Sequence, residues 1–590
     1  MRNYKTEWNL GHIYKGDIKK LVAKDLVIIK KLYLTFAKRY RKDKTHLKNP
    51  KALAKAIEEF EKLSIDKAGE RPSAYFSYRI SLNSQDNEAE AELAKLSDFY
   101  ANLSNELEFF FLEIGKIPKD LQKKFLLSKE LLPFRYFLKK LFESAKHHLT
   151  EAEEKIMNLK GAPAHGMWVS GFSKLLNKQV IKFENQDLPI AEAFAKIPTL
   201  EKSRRHALHQ EIMKALQNIS DFSESEINAI VTDKKIDDKL RGFKTPFEAT
   251  VKGYENESKT VKDLVDAVTK NFSLAHRFYK IKAEMLGDRK LVYADRGARV
   301  AKVETKISFA DAVEKTINSF SSAHPDFGDF VRECFQNGLV DVFPKKGKHG
   351  GAFCSSPATL PTYILLNHID DFRSLTTLAH EMGHGIHAKY SKKQRPIYEG
   401  HTIATAEVAS TFFENLVFEE ALKNVSAKEK MILLHDKIND DISTIFRQIA
   451  CFNFENELHL TVRKEGFLPK ERIAELLNKH MQSYLGPVFE LTPADGYFFA
   501  AWSHIRNFFY VYSYAFGQLI SDALYENYKK DKTKIKDVIQ FLSAGASDSP
   551  ENIFKKIGIN PNKKLFETGL RRIKNNIDEL EKLWRKHKKN

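Results

Sequence analysis

The chain has 590 residues, with 96 lysines and arginines against 78 aspartates and glutamates, for a formal charge of +18. No apolar run approaches the roughly eighteen residues that a membrane-spanning helix needs, and the opening MRNYKTEWNLGH lacks the apolar core and cleavage site of a secretory leader, so a soluble, cytoplasmic protein is expected. Cys334, Cys354 and Cys451 are scattered and odd in number, which argues against a disulfide framework.

Long amphipathic stretches dominate, as at Leu93 to Leu112 and Asp221 to Leu240, and Thr150 with Glu153 forms a capping box before another. The polar run Glu184-Asn185-Gln186-Asp187, followed by Pro189 and Pro198, suggests a lobe boundary between 180 and 200, with an N-terminal helical region over 1–190 and a catalytic region over 191–590. Strand signals are few: Lys290 to Ala294, and Pro361 to Asn367. The expected fold is mainly α with a small β-sheet. If Pro361–Asn367 is an edge strand it can pair with an extended peptide through main-chain bonds, and Gly350, Gly351 and Ala352 would let a loop come close to that peptide.

The chemistry concentrates at His380-Glu381-Met382-Gly383-His384. Residues four apart share one helix face, so both imidazoles can reach a single zinc ion, while Glu381 can activate a water there. Leu375, Leu378, Ala379, Met382 and Ile386 form the opposite, buried stripe, and Gly383 and Gly385 read as packing residues. A third ligand is needed. The metzincin continuation requires Gly at 387 and His at 390, where the chain has His387 and Tyr390. Layouts with a glutamate about twenty residues past the second histidine meet Ile403 and Ala404 instead. Glu407, on the following helical pattern, is the better candidate; Glu399 sits in a loop between Pro396 and Gly400, and Glu414 is placed to accept from an imidazole N–H.

HEMGH followed by Ala406-Glu407-Val408-Ala409-Ser410, with Gly350-Gly351-Ala352-Phe353-Cys354 and Pro361 to Asn367 upstream, resembles the thimet oligopeptidase and oligoendopeptidase F family, closest to the oligoendopeptidase F branch. Trp8-Asn9-Leu10, Leu240-Arg241-Gly242-Phe243 and the segment Trp502 to Ala515 extend the likeness across residues 8 to 520. It implies a zinc endopeptidase for short peptides with one Zn2+ per chain, built from two helical lobes around a deep substrate channel. His380, His384 and Glu407 match the family's metal ligands, and Glu381 its general base. His504, Tyr510 and Tyr512 stand where catalytic donors to the oxyanion are expected, with Tyr514 at the substrate. Arg506 departs from a usual tyrosine, a departure that bears on which side chain contacts substrate, and Asp295-Arg296-Gly297-Ala298 departs from an Asp-Leu-x-x-Pro pattern and receives no role.

Two other classes compete. A carboxypeptidase or dipeptidyl carboxypeptidase resembling angiotensin-converting enzyme would need a cation for the substrate's terminal carboxylate, for which Lys345, Lys346, Lys348, His349 and Arg506 are available. The charge of +18 raises a nucleic-acid-binding protein, yet acidic residues interleave most lysines and no groove-reading motif accompanies them, so no nucleic-acid or membrane partner is expected.

Overall fold

Helices are started along this chain by side chains placed to satisfy orphan backbone donors. Asp17, Asn49, Asp66 and Asp86 each accept a first-turn N–H at successive helix starts. Thr150 and Glu153 form the expected reciprocal capping box. The computed structural model describes residues 4–303 and 305–589; Met1–Asn3, which open the segment read for a leader, lie outside the described residues, as do Glu304 and Asn590.

The fold is mainly α with little sheet. It divides into two compact units, each discontinuous in sequence. The first comprises 1–147, 305–423 and 524–557; the second comprises 148–304, 424–523 and 558–590. The stretch 180–200 therefore lies inside the second unit. Its polar run is the turn of a hairpin: β1 (Val180–Phe183) pairs antiparallel with β2 (Gln186–Pro189), and Glu184 and Asn185 take φ of 52° and 63°. Two consecutive left-handed residues match the twist of paired strands.

Two expectations are corrected. The stretch from Leu93 to Leu112 is not one helix but two, Asn87–Asn105 and Glu108–Gly115, because the backbone breaks at Glu106 and Leu107. Lys290 to Ala294 forms no strand; only Leu291 bridges to Phe489, and Tyr293–Gly297 closes into a 3-10 turn whose start is capped by Asp295. The Asp221–Leu240 pattern is borne out by a helix over Ser220–Arg241, stopped by Gly242 at φ 76°.

In the first unit a three-stranded sheet runs in the order β3 (Val340–Asp341), β5 (Tyr363–Leu365), β4 (Phe353–Ser355). β5 pairs parallel with β3 and antiparallel with β4, so it is the centre, not an edge. β4, which follows the Gly350–Ala352 loop, is an edge strand. The N-terminal segment is built into this sheet: Trp8 Nε1 donates to the Ile364 carbonyl at 2.8 Å, and the Tyr363 hydroxyl donates to the Asn9 carbonyl at 2.9 Å.

Candidate metal centre

The helix Phe372–Ser391 starts where Asp371 accepts the Ser374 N–H, and it carries His380, Glu381 and His384. Leu375, Leu378, Ala379, Met382 and Ile386 are fully buried, as their spacing requires. The helix Ile403–Ala421 packs against it and carries Glu407 and Glu414. Gly383 and Gly385 explain the close fit. A Cβ on Gly383 would lie 2.8 Å from the Ser410 Cα, and one on Gly385 would lie 2.7 Å from the Phe330 ring. Both are packing residues.

That approach brings three ligand atoms together. His380 Nε2 lies 3.4 Å from Glu407 Oε2, His384 Nε2 lies 3.9 Å from Glu407 Oε1, and one ligand atom from each residue falls within 4.8 Å of the others. Tetrahedral ligands at zinc distances are separated by about 3.4 Å, so the donor set fits that ion with a small inward adjustment. The other ring nitrogen of His380 is 3.2 Å from Glu414 Oε2, which fixes the tautomer that turns Nε2 toward a metal. The Ser410 hydroxyl donates to Glu407 Oε2 at 3.2 Å.

The electrostatics agree. Burial disfavours a charged His380, but hydrogen bonds to Glu407 and Glu414 outweigh it and raise its pKa to about 10. His384 is pushed down by burial and by that neighbouring charge; Glu407 is held low, despite burial, by His380. A proton between carboxylates and imidazoles is what a divalent cation would replace. Glu381, buried beside them, is raised by that burial to about 7, with the Glu407 charge adding. A carboxyl titrating near neutrality can both take and return a proton. Glu399 stands apart from the cluster, beside Lys392. Cys354, half-buried on β4, feels the Glu381 charge.

In the second unit, His504 stacks on Tyr510 at 5.1 Å, and Tyr514 lies 5.8 Å from Tyr510. All three are partly accessible. Tyr512, grouped with them on sequence, is fully buried and its hydroxyl donates to Asn256 at 2.9 Å; the helix Tyr512–Lys530 turns it inward, so it fills core. Arg506 is also inside: its Nε and Nη2 donate to Glu226 at 2.6 and 2.7 Å, and it lies over the Phe172 ring. Lys348 in the first unit is likewise buried, paired with Asp341 at 2.7 Å, and Lys345 pairs with Glu7 at 2.8 Å.

One feature was invisible in the sequence. Phe508 and Phe509, both non-glycine, take φ of 36° and 62°. Such backbone is strained and persists only where neighbours hold it. Here the Phe509 N–H donates to the buried Glu455 at 2.8 Å, and Thr250 donates to the Phe508 carbonyl at 2.9 Å. The turn sets Tyr510 against His504.

Comparison with known proteins follows the same lines. Residues 199–568 match the model of Peptidase family M3, and residues 113–179 match that of Oligopeptidase F. The chain is 28% identical to an oligoendopeptidase F homolog of Borreliella burgdorferi over 82% of this chain and 83% of that protein. It is 24% identical to an oligoendopeptidase F homolog of Lactococcus lactis over 98% and 97%. Among solved structures, a Chlamydophila abortus protein shares the fold with a TM-score of 0.86 at 22% identity, covering 98% of each chain. Oligoendopeptidase-F from Enterococcus faecium does so at 0.69 and 19%, covering 93% of this chain and 98% of that one. The family match spans well over half of the sequence: the chain belongs to peptidase family M3.

Proposed function

We propose that this M3 metallopeptidase is a zinc-dependent oligoendopeptidase that hydrolyses internal bonds of short peptides. The observation that carries the reading is the convergence of His380, His384 and Glu407, with the buried carboxyl of Glu381 next to His380 on the same helix. Bound by those three ligands, zinc would supply a Lewis acid that activates water and offsets charge developing on the scissile carbonyl oxygen. Glu381 takes the proton of the attacking water and returns it to the leaving amine. Glu414 holds His380 in the tautomer that keeps Nε2 free for the ion. β4, entered through Gly350, Gly351 and Ala352, offers its edge to an extended substrate, where main-chain pairing is indifferent to side chains. By family resemblance His504 and Tyr510 donate to the oxyanion and Tyr514 contacts substrate.

The carboxypeptidase reading loses ground because Arg506 and Lys348, two of its carboxylate holders, are buried and committed to Glu226 and Asp341. No helix among the described residues is long and apolar enough to cross a membrane, and the three cysteines are unpaired, which supports placing the protein in a reducing cytoplasm. Incubation with internally quenched peptides, with fragments identified by mass, tests the proposal. Internal cuts that a chelator abolishes and zinc restores are expected. Trimming confined to the carboxyl end would overturn the endopeptidase assignment.

A further inference from the structure

Within the first unit, β4 and the helix that carries His380 and His384 pack together and both run out against a cleft of about 310 Å³. Ser356, the residue after β4, lines one side of it, and Ala388 and Ser391, near the end of the helix Phe372–Ser391, line another. Lys392, Glu399 and Gly400 form the wall that carries charge. Ala388 and Ser391 follow His384 by about one and two turns, so the cleft begins roughly 6 to 10 Å along the helix from that imidazole. An extended peptide covers that span in two or three residues at about 3.3 Å each.

The walls are held in place by the unit itself. Lys392 Nζ donates to the Pro357 and Leu360 carbonyls at 2.6 and 3.3 Å, and Glu70 accepts the Ala358 and Thr359 N–H groups at 2.8 Å each. The turn that leads into Glu399 is pinned too. Arg395 makes a bidentate pair with Glu61 at 2.8 and 2.7 Å, the Tyr398 hydroxyl accepts the Phe137 N–H at 3.0 Å, and the Tyr398 carbonyl accepts the Ala546 N–H at 2.9 Å. The Glu399 carboxylate is left over from these pairings. It is half-buried, and among the described residues it accepts no hydrogen bond and makes no ion pair. Lys392 is its neighbouring cation, but that ammonium is turned to the two carbonyls, and Glu70 adds a second negative charge nearby. Two carboxylates against one committed ammonium leave this region with an excess negative charge. A half-buried carboxylate without a partner gains most from a cation that brings its own N–H donors.

We infer that this cleft is a subsite for a cation of the peptide substrate, a lysine or arginine side chain or the amino-terminal ammonium, held by Glu399. The subsite presupposes the endopeptidase reading, with β4 as the edge that pairs with substrate. A peptide lying along β4 past Ser355 meets the cleft at Ser356, so the strand edge fixes how far the basic group stands from the cut bond.

The test uses the full-length, zinc-loaded enzyme and amino-terminally acetylated, internally quenched peptides of one sequence. The parent carries norleucine at every variable position, and in its relatives a single lysine moves one residue at a time away from the cut bond. The free-amine form of the parent completes the set. Lysine two or three residues from the cut should raise kcat/KM about tenfold over norleucine, chiefly through KM, the scale of one charge-assisted hydrogen bond. Glu399→Gln should bring that ratio toward one, and Glu399→Lys should reverse the preference, so that glutamate at the same position outruns lysine. A gain confined to the free-amine peptide assigns the subsite to the amino-terminal ammonium and should likewise vanish in Glu399→Gln. Equal rates across the set in the wild type, a preference at some other distance only, or one that survives in folded Glu399→Gln would overturn the subsite while peptide cleavage stands. Cleavage of none of the peptides would instead sink the endopeptidase reading, and the subsite with it.

Discussion

Glu381 owes its poise to position rather than to type. It is 7% exposed, and burial raises a carboxyl that would be fully ionised in water. Glu381→Gln keeps the shape and removes the proton acceptor, so it should bind zinc normally by elemental analysis and lose about 10²- to 10⁴-fold in kcat/KM. Wild-type turnover in that variant would refute its role. The convergence of His380, His384 and Glu407 was legible because four-residue spacing is a property of the helix and the carboxylate followed by excluding the other layouts. Arg506 and Tyr512 were not legible. Arg506 looks available until Glu226, 280 positions away, is brought against it. Tyr510, Tyr512 and Tyr514 alternate in sequence, yet the strained turn at Phe508 and Phe509 leads straight into a helix, and only a helix decides that the middle tyrosine faces inward.

At the scale of elements, Gly383 sets the spacing of the two helices that carry His380, His384 and Glu407. An added methyl would meet the Ser410 backbone, which cannot swing away as a side chain could. Gly383→Ala should cost about 1–3 kcal/mol and weaken zinc binding, measured by thermal melting and metal titration; unchanged affinity would mean that the helices part freely. The helix Glu151–Gly161 supplies a pH test. Two Arg241 nitrogens at 2.8 and 2.9 Å hold the Glu154 carboxyl down to about 2. A depressed acid stabilises the fold fully above its unfolded value near 4.5, and that contribution is lost as pH falls toward 2. Glu154→Gln should therefore destabilise at neutral pH by about 1–2 kcal/mol, allowing for partial solvent screening, and narrow its gap from wild type as acid is added. Caps and periodic helices could be read locally. The hairpin at 180–189 was missed because Glu and Asn accept left-handed backbone while looking like linker residues, and the central place of β5 could not be seen because its partner β3 lies more than twenty residues upstream.

At the scale of the whole molecule, the unit that contains the His-His-Glu cluster draws on the amino-terminal stretch, the middle of the chain and the late segment 524–557. A fragment over 191–590 keeps every proposed ligand but omits Trp8 and Tyr78, whose rings pack at 5.2 Å and against Tyr363 of the sheet. It should fail to bind zinc or cleave peptides, and circular dichroism with activity assays checks this; an active fragment would show the N-terminal residues to be dispensable. Length and composition could not reveal this interleaving, since no linker marks the crossings.

The same arrangement governs the order of events during synthesis. The backbone that receives Trp8 emerges from the ribosome some 350 residues after it, and the segment 524–557 emerges later still. Long-range closure of this kind is slow and leaves apolar surface exposed while it waits. The amino-terminal helices, with Phe36, Phe110 and Phe134 in one buried cluster, are synthesised well before the later segments of the same unit.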